Sequence, residues 1–177
     1  MHAFLIPHPA TPCPQLSRLE VHVVVRDEGS LTLAYRLTGD IAGLKIPPTT
    51  EPGRRHGLWR HTCCEAFVMA NGGPSYREFN FSPSRDWAAY DFASYRDGAV
   101  PAPITTPTIA CHVIGDTLEL EAYLPADALP AGLNPRLALS AVIEDRQGRL
   151  SYWALCHPAE RPDFHHTNGF ALSIECA

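Results

Sequence analysis

An export signal is missing from this sequence. Its opening residues, MHAFLIPHPATPCP, carry no basic stretch and only four apolar residues in a row before proline. That is neither a secretory leader nor a membrane span, so the expectation is a cytoplasmic chain with no membrane partner. Positive charge is not in excess either. The net charge of −5 gives no electrostatic reason to expect nucleic acid or an anionic membrane surface. No repeat, low-complexity tail, paired C-x-x-C motif or convincing amphipathic helix is visible, and the methionines are Met1 and Met69 alone. What remains is one domain, residues 1–177, long enough to bury a core of its own.

Cysteine is present, but not as a disulfide framework. Cys13, Cys63, Cys64, Cys111, Cys156 and Cys176 sit in a chain of this size without a leader, which argues for reduced thiols. The neighbours Cys63 and Cys64 cannot easily pair, because adjacent Cα atoms lie about 3.8 Å apart and disulfides need at least about 4.4 Å.

β-rich runs punctuated by turn residues fill the rest of the chain. Leu19 to Val25 and Leu31 to Leu37 flank Arg-Asp-Glu-Gly-Ser and read as a hairpin. Residues 38–56 are dense in glycine and proline and read as a long connection that borders a site. Cys63 to Met69 and Tyr76 to Phe81, joined through Asn71-Gly72-Gly73-Pro74, form a second hairpin, and Trp87 to Tyr95 reads as a strand. Thr108 to Ile114 and Thr117 to Leu124 follow, the latter alternating Leu118, Leu120, Ala122 and Leu124 against polar neighbours. Pro125 to Leu129 suits one helical turn, Leu137 to Ile143 and Leu150 to Leu155 a further hairpin, and Phe170 to Ile174 a last strand. The fold expected is all-β: an antiparallel two-sheet β-sandwich of about ten or eleven strands with little helix.

One stretch, Gly57 to Gly98, holds two of the three tryptophans and four of the seven phenylalanines together with Glu65 and Glu78, a mixture that suits a ligand face better than a core. Strand parity puts Cys64, Ala66, Val68, Phe79 and Phe81 inward. Glu65, Phe67, Met69, Tyr76, Glu78 and Asn80 then share the opposite face. Carboxylates accept hydrogen bonds from neutral hydroxyls, and rings stack on the apolar face of a sugar. The competing reading makes both glutamates solvated residues on an open sheet face.

The phrases LWRHTCCEAFV, SYREFNFSPSRDWAAYDFASYRDG and SYWALCHPAERPDFHHTNGFAL resemble the DOMON-like domain proteins of bacteria, which are similar in fold to family-9 carbohydrate-binding modules. The resemblance runs over most of the chain from Leu58 onward. It implies a β-sandwich that binds a small neutral ligand, a saccharide, beside one sheet and has no catalytic residues. In the sugar-binding modules a tryptophan precedes a strand glutamate by six residues, an arginine follows the next strand, and a second ring closes over the sugar. Trp59 and Glu65 keep that spacing and Arg85 fits the arginine. Trp87, Trp153 and Phe164 stay open as the second ring, Phe164 preferred, with His165 beside it. By this resemblance Glu65, Asn80 and Arg85 bond the ligand's hydroxyls, and Glu78 orients Arg85. Six residues of straight strand span roughly 20 Å, so a site needs the chain to fold back between His56 and Thr62.

Other chemistries compete. Some DOMON domains bind haem through methionine and histidine, which here means Met69 with His61 or a histidine of the late loop. Calcium, as in some related modules, is a further option. The histidines His56, His61, His157, His165 and His166 could serve a metal-dependent enzyme, though none has recognised ligand spacing. A Cys–His nucleophile from Cys63 or Cys64 requires an open electropositive site. An interaction domain without a small ligand completes the set.

Overall fold

The computed structural model describes residues 1–26, 28–70, 73–130 and 134–174. Among them are twelve strands, four single 3₁₀ turns and no longer helix. In chain order the strands are β1 His2–Pro7, β2 Leu16–Val25, β3 Leu31–Gly39, β4 Cys63–Met69, β5 Tyr76–Phe81, β6 Trp87–Phe92, β7 Val100–Pro101, β8 Thr108–Ile114, β9 Thr117–Leu124, β10 Arg136–Glu144, β11 Leu150–Ala154 and β12 Leu172–Ser173.

The ladder is continuous and antiparallel, in the order β7-β6-β5-β4-β10-β11-β1-β2-β3-β9-β8, with β12 attached to β10. The expected all-β, antiparallel architecture is present, but where a two-sheet sandwich was expected the chain forms one large sheet that curls on itself. β1 makes the difference. His2 to Leu5 pair with β2, while Ile6 and Pro7 pair with Ala154 and Trp153 of β11, so one short strand joins the two halves. Its six residues follow no long apolar run and precede a proline-rich segment, so the sequence reading passed over it.

The alternating strands were the readable ones. Along β9, Leu118, Leu120, Ala122 and Leu124 are buried and Glu119 and Glu121 are exposed, and β3 repeats the pattern with Leu31, Leu33, Tyr35 and Leu37. These side chains meet Cys64, Ala66, Val68, Phe79 and Phe81 of the other half in one core. Each fully buried leucine there contributes roughly 1.5–3 kcal/mol of transfer free energy. The turn expected at Pro125 to Leu129 is the 3₁₀ turn Ala126–Ala128, and the last strand is shorter than expected. Asn71 and Gly72 of the expected turn, Gly132 and Cys176 lie outside the described residues.

The two halves differ on their outer faces. β2, β3, β8 and β9 carry exposed polar residues there, whereas every residue of β4 is buried. Phe67, Met69, Tyr76, Phe92, Ala138 and Phe170 form a second apolar cluster on the outer face of β4, β5, β6 and β10. The open sheet face with solvated glutamates is therefore excluded. The segment after β11 folds back over this face and covers part of it, leaving a cleft.

Candidate functional site

One row across the covered face is built of small and polar residues. Ala88, Asn80, Glu65, Ser140 and Ala154 are successive cross-strand partners on β6, β5, β4, β10 and β11. Directly paired residues share a face, so the short side chains on this row leave a hollow around Glu65. Larger residues flank it: Tyr90 and Glu78 on one side, Tyr152 and Val142 on the other. The resulting cleft is about 570 Å³, and Trp59, Arg60, Arg96, Phe164 and His165 add its walls. Small-molecule sites run from about 300 to 1,000 Å³.

Trp59 reaches the cleft because the chain does not run straight into β4. Gly57 adopts φ 77°, a left-handed conformation open to glycine, and Leu58–Arg60 form a 3₁₀ turn. Arg60 and His61 N–H groups donate to the Gly57 and Leu58 carbonyls, and extended structure starts only at Cys63. The fold-back between His56 and Thr62 that a site requires is thus present. The indole is 48 % exposed and lines the same cleft as Glu65.

The floor is acidic and buried. Glu65 is 2 % exposed and Glu78 6 %. Glu78 Oε1 accepts from Asn80 Nδ2 at 2.6 Å, and Glu65 Oε2 accepts from Ser140 Oγ at 3.5 Å. Glu65 Oε1 is buried and has no hydrogen-bond partner among the described residues. Burial pushes both carboxyls above the ordinary glutamate range, and the proximity of Glu78 pushes Glu65 further. His165 moves the other way, down to about 4, through burial first and then the neighbouring Arg96, so it is neutral at pH 7. Tyr76 Oη accepts from the Arg96 N–H at 3.2 Å and lies 2.8 Å from His165 Nδ1. With the phenolic proton given to Nδ1, the imidazole keeps its own on Nε2, 3.8 Å from Glu78 Oε2.

Five of the eight residues expected at the site line this cleft: Trp59, Glu65, Glu78, Phe164 and His165. Asn80 is fully buried beneath the floor, where it holds Glu78 rather than facing the cleft. Arg85 and Trp87 are elsewhere. Arg85 sits in the turn after β5 with φ 76°, its guanidinium donating to the Thr50 carbonyl at 2.7 Å, so Glu78 does not orient it. Trp87 is paired with the inward-facing Phe81, packs in the main core and lies 4.4 Å under the Arg54 guanidinium. Trp153 is likewise in the main core. Phe164 therefore remains of the three rings, in edge contact with Tyr152 at 5.9 Å.

Sequence reasoning missed Arg96, Tyr90 and Tyr152, and offered His56 only as a metal ligand. Parity carried the signal for Tyr90: three positions after an inward Trp87, it must point outward, where its hydroxyl meets His56 Nδ1 at 2.9 Å. Arg96 takes the place given to Arg85, held by Asp163 at 2.8 Å from a turn where its own φ is 54°.

Met69 and His61 are not brought together. Met69 lies in the outer apolar cluster with its Sδ 3.0 Å from Arg136 Nη2, while His61, at the opposite end of β4, bonds Glu144 at 2.7 Å. No three His, Cys, Asp or Glu side chains converge as metal ligands among the described residues. Burial pushes the Cys63 and Cys64 thiols well up, which makes them poor nucleophiles. A second cleft of about 420 Å³ lies over Ala34 and Ala110 on the other half. Its Glu20 Oε2, like Glu65 Oε1, is buried and makes no hydrogen bond among the described residues, but it has cations at ionic distance, Arg18 at 2.7 Å and His2 at 3.2 Å, and its Glu119 is paired with Arg36.

No protein-family model and no curated protein matches the chain. Solved structures do match its fold. A candidate carbohydrate-binding protein from Bacteroides uniformis superposes with a TM-score of 0.64 at 14 % identity, over 95 % of this chain and 83 % of that one. A family-9 carbohydrate-binding module from Caldicellulosiruptor kristjanssonii, in complex with glucose, gives a TM-score of 0.44 at 10 % identity, over 77 % of this chain and 65 % of that one.

Proposed function

We propose that this protein is a one-domain, non-catalytic module of DOMON-like kinship that binds a small saccharide in the cleft beside Trp59. Trp59 and Phe164 supply flat apolar contact, Glu65 and Glu78 accept hydrogen bonds from the ligand, and His165 and Arg96 border it. Asn80 acts through Glu78. The observation that carries the reading is Glu65, which lines an aromatic-walled cleft and whose buried Oε1 has no hydrogen-bond partner among the described residues. An unmet buried acceptor is costly unless something supplies a donor, and a sugar hydroxyl does so. The carbohydrate-binding name carried by the Bacteroides uniformis neighbour is consistent with this choice of ligand. A reducing, cytoplasmic setting belongs to the same proposal, supported by free thiols at Cys13, Cys63, Cys64, Cys111 and Cys156.

The test is a calorimetric screen of monosaccharides and short oligosaccharides. Binding that is lost in Trp59→Ala supports the reading; a wild type that binds none of them overturns it.

A further inference from the structure

Among the described residues the cleft floor presents two buried carboxylates and no cation hydrogen-bonded to either, Arg96 acting on Glu78 only from a distance. Their donors, Asn80 Nδ2 and Ser140 Oγ, are both neutral. The nearby cations are engaged elsewhere. Arg96 binds Asp163 at 2.8 Å, Arg60 lies 5.1 Å over the Trp59 ring, and Arg77 is turned to Asp91 at 2.6 Å. His165 approaches Glu78 only to 3.8 Å. Above the carboxylates stand the rings of Trp59, Tyr90, Phe92 and Phe164. Aromatic faces attract a cation through their quadrupole, and a carboxylate bonds an ammonium about twice as strongly as a neutral donor. A hydroxyl can satisfy Glu65 Oε1 but brings no charge to the pair.

We infer that the cleft selects a saccharide bearing a protonated amine, whose ammonium donates to Glu65 Oε1 beside Glu78 and is walled by the aromatic rings. The inference rests on the saccharide reading and replaces the neutral ligand expected from the family resemblance with a cationic one. It also implies a proton movement. Burial pushes both carboxyls upward, and an ammonium favours their charged form, so its binding shifts the pair toward releasing protons to the buffer. The other titratable groups around the pair do not compete: His165 is neutral, Tyr76 and Cys63 keep their protons, and Arg96 stays with Asp163.

Calorimetry at pH 7 with D-glucosamine, D-glucose, N-acetyl-D-glucosamine and ethanolamine separates the cases. The expected result is glucosamine binding at least about tenfold tighter than glucose or the N-acetylated sugar, the scale of one charge-assisted bond. Its binding heat should vary with the buffer's ionisation enthalpy, and Glu65→Gln should bring the glucosamine-to-glucose affinity ratio to near one. Glu78→Gln, read the same way, covers a Glu65 variant that does not fold, and the buffer dependence needs no variant. Equal affinities for glucose and glucosamine overturn the amine inference and leave the saccharide reading standing. Ethanolamine binding without any sugar binding overturns the saccharide reading while supporting the amine site. No binding at all overturns both.

Discussion

The hydroxyl of Tyr35 donates to the backbone carbonyl of Glu65 across 2.7 Å in the middle of the core. Tyr35 belongs to β3 and Glu65 to β4, so the far half of the curled sheet holds the cleft floor at the position of its unpaired carboxylate. Tyr35→Phe removes the donor and nothing else. The expected cost is about 1–2 kcal/mol, seen as a lower urea midpoint with an unchanged slope. A variant as stable as wild type would show that the bond contributes nothing net.

Glu65 should make the fold prefer acid. Its carboxyl is raised by burial and by Glu78, so the folded state holds the proton more tightly than the unfolded chain. That stability is fully present below the ordinary carboxyl pKa and is lost as pH rises through the folded value. Glu65→Gln therefore gains stability relative to wild type at pH 8, with the gain shrinking toward pH 4. Urea titrations at the two pH values check the sign.

His165 titrates in the opposite sense. Lowered to about 4 by burial and Arg96, it leaves the unfolded chain to take up the proton first as pH falls. Its contribution is present above the ordinary histidine value of about 6.5 and is lost as pH drops toward 4. His165→Gln should flatten that limb of the melting temperature against pH. An unchanged limb would assign the acid sensitivity to other groups.

Trp59 is the cleanest separation of binding from folding. Half-exposed on its 3₁₀ turn, it packs in neither core cluster. Trp59→Ala should weaken saccharide binding by at least about tenfold, as for a central aromatic anchor. Stability should shift by no more than about 0.5 kcal/mol. Calorimetry beside a melting curve measures both.

What could be read from the sequence followed the periodicity. β3 and β9 alternate cleanly, and the hairpin of β4 and β5 put Glu65 and Glu78 on one face through parity alone. What could not be read were facts of tertiary register. The pairing of Phe81 with Trp87 fixes that indole inward, and nothing local to the SPSRDW phrase states it. The same register turned Tyr90 outward, and a left-handed turn brought Arg96 rather than Arg85 to the cleft. Motif spacing gave Arg85 its role; the backbone between the motif's residues assigned it to Thr50. Parity also cannot say whether an outward face is wet. The segment after β11 decides that, and its cover over Phe67, Tyr76 and Phe92 turns two ordinary strand glutamates into buried ones.

β1 carries a consequence for how the molecule comes into being. Its first residues find β2 fourteen to twenty positions along the chain, but Ile6 and Pro7 pair with Ala154 and Trp153, and His8 and Thr11 also bond the β11 backbone or its neighbours. A ribosome must deliver the chain through Ala154 before the opening strand has its second partner. Until then the nascent chain is two stacks of hairpins with an unpaired edge on each, the condition in which β proteins fold slowly and recruit wrong neighbours. The seam that unites the halves is thus late to close and lengthens the interval during which the chain depends on protection.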